Sequence, residues 1–141
     1  MFKDILVPVD LGHIAESAQI LIKAQDMAEQ CGARIHVITV IPDFGMTMVA
    51  SFFPDDYEKK AMTEGEKALK AFTAEHGRDK KIDQHIVGHG SVYKEIVRTA
   101  KKTGCDLIIM GSGARDDAGY LVGHNSARVM RHSKCSVLLL R

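Results

Sequence analysis

Three short runs in this chain are apolar with no polar residue between: Ile5-Leu6-Val7-Pro8-Val9, Leu107-Ile108-Ile109-Met110 and Val137-Leu138-Leu139-Leu140. A strand with one wet face alternates apolar and polar residues. A strand without alternation must be covered on both sides. Helical stripes supply the cover. Ile14, Ala18, Leu21, Ala24 and Ala28 recur at spacings of three and four, and Gly32 stops that helix. Tyr57, Ala61, Gly65, Ala68 and Phe72 make a second stripe, closed by Gly77. Ser91 is placed to cap a third helix carrying Val92, Ile96, Val97 and Ala100, which Gly104 ends. A short helix is expected from Asn125 to His132. Further strands are expected over 35–40, where Pro42 ends the run, around 82–87 and over 136–140. The order βαβαβαβαβ, with right-handed crossovers, predicts an α/β three-layer sandwich around a five-stranded parallel sheet. A chain of 141 residues makes this one domain, 1–141.

Composition narrows the partners. The formal net charge is +1, and acidic and basic residues are mixed along the chain. That predicts no nucleic-acid partner and no anionic membrane surface as partner. No apolar stretch approaches a membrane span, and Met1-Phe2-Lys3-Asp4 leads directly into the first strand without the pattern of a signal peptide. Cys31, Cys105 and Cys135 are odd in number and widely spaced, which fits reduced thiols in a cytoplasm. His85 and His89 flank the expected end of a strand, and His132 and Cys135 straddle a helix-to-strand connection. Neither pair has a second pair at metal-site spacing, so no metal is expected.

Ligands of parallel α/β sheets bind beyond the carboxyl ends of the strands, where the strand order reverses. Here those ends are Asp10, residues 40–42, residues 88–91 and residues 111–114. Asp10 has two readings: a turn or cap residue, or an acceptor for a ribose hydroxyl or an exocyclic amine. Gly111, Gly113, Gly119 and Gly123 also have two: plain turn chemistry, or a phosphate cradle completed by the N–H groups that open the last helix. It is neither a Walker loop nor a dinucleotide fingerprint. The segment 41–54, rich in Met and Phe, is a flap, a contact surface for a partner, or a loop folded onto the core. No nucleophile–base pair stands out, so no catalytic residue is assigned.

The chain resembles the universal stress protein family. "ILVPVD" at 5–10, "HVITVIP" at 36–42, "GSVYKEIV" at 90–97, "CDLIIMGSG" at 105–113 and "GHNSARVMRHSKCSVLLLR" at 123–141 carry the resemblance in order and spacing. It implies a Rossmann-like fold of the adenine nucleotide alpha hydrolase type. It also implies ATP or another adenine nucleotide as ligand, with Mg²⁺ held by phosphate oxygens and water. Gly111 matches the first glycine of the family's nucleotide motif. Ala114 occupies the second glycine position, and His124 stands where the third is expected, one residue after Gly123. "YLVGHN" is similar to the "YLLGSN" of a bacterial subgroup with a shorter loop. Carried onto this chain, Asp10 contacts the adenosine, Val40 the adenine edge, and Pro8 and Val9 line the base pocket. Met110, Gly111 and Gly113 pass beneath ribose and phosphates, and Gly123, His124 and Asn125 present N–H groups to the phosphates. Asp116 and Asp117 are read as a solvated loop face. The family implies a homodimer through Val137, Leu138, Leu139 and Leu140. The alternatives are a stress protein that acts by protein contacts without nucleotide, and a weak ATPase or self-phosphorylating protein.

Overall fold

In the computed structural model, which describes residues 1–42, 56–113 and 122–141, five strands form one parallel sheet. The elements are β1 (Asp4–Pro8), α1 (Ile14–Cys31), β2 (Arg34–Pro42), α2 (Tyr57–His76), β3 (Gln84–Gly90), α3 (Val92–Thr103), β4 (Leu107–Gly111), α4 (His124–His132) and β5 (Ser136–Leu140). The strand order is β3-β2-β1-β4-β5. The chain therefore winds outward from β1 in one direction, then returns and winds the other way from β4. Most of segment 41–54 and residues Ala114, Asp116, Asp117 and Gly119 lie outside the described residues.

Alternation along the strands sorts the core into two layers. Ile5, Val7, Ile35, Val37, Leu107 and Ile109 pack under α1 and α2 with Leu21, Leu69 and Phe72. Leu6, Ile38, Ile108 and Met110 pack under α3 and α4 with Ile96, Ala100 and Val129. β1 is the centre of both: Ile5, Leu6 and Val7 are each 0% exposed. Full burial of such a side chain stabilises by about 1.5–3 kcal/mol.

Several boundaries differ from the sequence expectation. β3 begins at Gln84 and runs to Gly90 instead of covering 82–87, because β2 extends to Pro42 and pairs residue for residue up to Pro42↔Gly90. Ile82 packs against the core from outside the strand, and Asp83 is bonded to Ile35 at both its N–H and its carboxylate. α4 starts at His124, one residue early. Ser91 occupies the cap position of α3, but its side chain makes no capping bond. His85 and His89 both lie within β3. Four residues apart on a strand, they share a face, and both meet α2: His85 Nε2 lies 2.8 Å from Thr73 Oγ1 and His89 Nδ1 lies 3.3 Å from Glu58 Oε1.

At the amino ends of the strands, Asp4 joins β1 to β2 through its carboxylate and to the start of β4 through its N–H. Asp4 faces Arg34 through Oδ1–Nε at 2.8 Å and Oδ2–Nη2 at 3.0 Å, and its Oδ1 lies 2.9 Å from His36 Nε2. Its own N–H donates to Asp106 Oδ1 at 3.0 Å. Burial raises the Asp4 carboxyl, but the hydrogen bonds and charges of Arg34 and His36 outweigh it and hold it below the usual carboxylate value. A depressed folded-state value means the stabilisation is complete above the unfolded value and is lost as pH falls through the folded one. Asp4→Asn is therefore expected to destabilise near neutral pH, with the gap to wild type closing below about pH 4. Urea unfolding of both proteins at several pH values measures this. A gap of equal size at every pH would mean that the charge on Asp4 contributes nothing.

Candidate functional site: a cleft at the carboxyl ends of β1 and β4

Where the winding direction reverses, α1 leaves one side of the sheet and α4 the other, and the strand tips between them are left uncovered. A cleft of about 720 Å³ lies there. That is within the usual range for small-molecule sites, roughly 300–1,000 Å³. All ten residues singled out in the sequence line it: Pro8, Val9, Asp10, Val40, Met110, Gly111, Gly113, Gly123, His124 and Asn125. Val9 and Met110 are buried and form apolar floor, while Asp10, Gly113, His124 and Asn125 are exposed.

Asp10 is held rigidly. Its Oδ1 accepts the Gly12 N–H at 2.9 Å, closing an Asx turn, and its Oδ2 lies 2.8 Å from His13 Nδ1. The turn reading of Asp10 is thus realised, and each oxygen keeps further lone-pair capacity. The backbone is clamped as well: the Asp10 N–H donates to Ser17 Oγ, whose hydroxyl donates to Asp10 O, both at 3.0 Å. Glu16 adds a second carboxylate to the α1 side of the cleft.

The opposite wall is closed by backbone. Gly123 N–H donates to Ser112 O at 2.7 Å, and Ser112 N–H donates to Leu140 O at 2.8 Å. These two donors are spent on the fold. The reading that Gly123 presents its N–H to phosphates is therefore corrected: the strand end and the helix start touch each other directly. The first turn of α4 also belongs to this wall, and residues after a helix cap lack intrahelical acceptors for their N–H groups. Ala127 is the residue that bonds back to Gly123 O. The glycines are required by contact. A Cβ on Gly123 would meet Gly113 O at 2.4 Å, and Gly113 itself has φ +68°. Ser126 Oγ donates to Gly111 O at 2.8 Å and fixes α4 to the tip of β4.

Sequence reasoning missed Ser17 and Ser126, which are 5% and 3% exposed. The available signal was a serine beside an apolar stripe in each helix, a polar group that burial obliges to find a partner. His13 and Glu16 were also missed. Neither carries a pattern in the sequence, and both come to the cleft because α1 begins there.

The sequence matches the universal stress protein family over residues 1–141. The chain belongs to that family. Universal stress protein G of Escherichia coli O157:H7 is 30% identical over 144 residues, covering the whole of both chains. Among solved structures, the protein MJ0577, the subject of a structure-based assignment of biochemical function, matches with a TM-score of 0.77 at 25% identity, covering 99% of this chain and 96% of that one. Two more distant structures share the fold. One is a universal stress protein in complex with cAMP, with a TM-score of 0.66 at 22% identity, covering 99% of this chain and 97% of its own. The other is the universal stress protein from Archaeoglobus fulgidus in complex with dAMP, with a TM-score of 0.62 at 18% identity, covering 99% and 98%. Among the described residues of this universal stress protein, no helix is long and apolar enough to cross a membrane.

The contact of Gly113 with Gly123 generates a test of the cleft wall. Gly123 has φ −72° and ψ 169°, which any residue adopts, so Gly123→Ala carries a purely steric cost. Overpacking of this kind is expected to destabilise by about 1–3 kcal/mol. Chemical denaturation checks it. A variant as stable as wild type would show that the two chain ends separate without cost.

Proposed function

We propose that this chain is a cytoplasmic universal stress protein that binds an adenine nucleotide, ATP or AMP, in the cleft and works in stress response or its regulation. The observation that carries the reading is the polarity of the cleft. Asp10 stands at one wall as a fixed acceptor, and the amino end of α4 stands at the other as a positive dipole end. A nucleoside phosphate has the matching polarity, with hydroxyl and amine donors at one end and anionic oxygens at the other. Val9 and Met110 would give the base an apolar floor, and the backbone of Val40, which also lines the cleft, would meet its edge. Membership in the family supports this, as do the family structures that hold cAMP and dAMP.

Among the described residues no three His, Cys, Asp or Glu side chains cluster as metal ligands. Mg²⁺ would enter with the phosphates, held by their oxygens and by water. The chain's own groups bind and orient: Asp10 through its carboxylate, the first turn of α4 through N–H groups. Weak hydrolysis or self-phosphorylation is a secondary possibility, and no residue of the cleft is assigned to it.

Asp10→Ala is expected to weaken ATP binding by about 1–3 kcal/mol with the fold intact. Calorimetric titration reads this directly, and mass spectrometry of nucleotide released on denaturation identifies the resident ligand. Equal affinity in the two proteins would return Asp10 to its turn alone, and no binding in wild type at millimolar ATP would overturn the reading. A second component is a homodimer through β5. In the strand order β5 is an edge, paired only with β4, and Val137, Leu138, Leu139 and Leu140 are half-buried. An apolar edge of this kind needs cover. Sedimentation of the wild type is expected to give a dimer, and a monomer at high concentration would remove this component.

A further inference from the structure

The charges that are mixed along the sequence are sorted by the fold. The exposed residues of α3 are Lys94, Arg98, Lys101 and Lys102, so the outer stripe of that helix is entirely basic. α4 lies beside it on the same side of the sheet, since Ile96, Ala100 and Val129 share one core cluster. It adds exposed Arg128 and Arg131. Lys134 and Arg141 follow on the same half of the chain. Over residues 91–113 and 122–141 the acids are Glu95 and Asp106, and both are occupied: Glu95 pairs with Arg98 at 2.6 Å, and Asp106 accepts the N–H groups of Lys3 and Asp4. Among the described residues, Arg98 is the member of this basic face that has an ion-pair partner. The α2 face differs. There acids alternate with lysines, and Lys60 and Lys70 are paired with Asp56 and Glu66.

We infer that the outer face of α3 and α4 is a docking surface for single-stranded nucleic acid, held through its phosphates. Charge complementarity calls for an extended polyanion. Lys94 lies eight residue steps from Lys102, about 12 Å of helix, and Arg128 and Arg131 widen the patch across α4. One small anion cannot meet all of these groups. A strand with a charge at every nucleotide can. Aromatic rings lie in the same patch: Tyr93 and His132 have centroids 5.4 Å apart, and the Arg128 guanidinium stands 5.3 Å over the Tyr93 ring. Tyr93 is half-buried against the core, so the exposed His132 ring and the Arg128 guanidinium are the planes on which unpaired bases can stack. A duplex fits less well, because both helices lie flat on the sheet and neither projects to enter a groove. A lipid surface also fits less well. The apolar stripes of α3 and α4 are used in the core, and Met130 is the one large hydrophobic exposed on either helix. The expectation of no nucleic-acid partner rested on net charge, which averages over two unlike faces. This inference is independent of what the cleft binds.

The probe is a fluorescent oligouridylate of about 20 nucleotides, titrated with the full chain at several salt concentrations and read by anisotropy. With about six phosphates neutralised, log K is expected to fall against log salt with a slope near −4. Replacing Lys94, Arg98, Lys101 and Lys102 together with Gln is expected to lower affinity at least about tenfold and to reduce the slope by about 3. All four side chains are exposed, and circular dichroism melting of the variant verifies that it folds. A control with Lys59, Lys60 and Lys67 changed to Gln on α2 is expected to bind as wild type. Absence of binding at low salt, equal affinity in both variants, or binding to phosphatidylserine vesicles or polyglutamate in preference to the oligonucleotide would each overturn the inference.

Discussion

β1 has no polar face, and the rest of the architecture follows from that. Ile5, Leu6 and Val7 are wholly buried, so neighbours must pair with both edges of the strand and helices must cover both of its faces. A parallel partner cannot be reached by a tight turn, so each connection is long enough to hold a covering helix. The chain meets both demands by winding out through β2 and β3, then crossing back to β4 and β5. Asp4 and Asp106 secure the amino ends of the central strands, where a carboxylate can accept backbone N–H groups that the sheet leaves over.

The cleft is a consequence of that winding. Helices depart to opposite sides at the tips of β1 and β4, and nothing in the sheet itself fills the space between them. What shapes the space is hydrogen bonding by two buried serines. Ser17 holds the backbone of Asp10 from α1, and Ser126 holds Gly111 from α4. The walls are thereby fixed before any ligand arrives, which lowers the ordering cost of binding. Gly113 and Gly123 line the cleft, and the Gly123 N–H is given to Ser112. They allow two backbones to touch, and the cleft's anion-favouring end is left to the opening turn of α4.

The same winding separates the charges. α1 and α2 cover one face of the sheet and α3 and α4 the other. Acids outnumber bases over residues 1–42 and 56–90, whereas bases dominate over 91–113 and 122–141. Because the second half of the chain supplies one whole layer, a modest gradient along the sequence becomes a face with one sign. A net charge of +1 conceals it.

The periodicities of the sequence determined the element order, the parallel sheet and the two covering layers, because apolar runs without alternation that take turns with amphipathic helical stripes suit a parallel sheet covered on both faces. They also located the strand tips that line the cleft: a tip is legible wherever such a run ends, and Asp10 and Gly111 were found that way, whereas Met110 came from the family resemblance. Boundaries were less legible. β3 extends to Gly90 because β2 continues beside it, and pairing outweighs the low strand preference of glycine. Tertiary structure alone decided the partners of polar groups. It directed the Gly123 N–H to Ser112, Ser17 to Asp10, and Asp4 to Arg34 and His36, residues about thirty apart in sequence. A hydrogen bond depends on distance and direction between groups that only the folded chain brings together, whereas hydrophobic burial depends on a pattern that the chain carries before it folds.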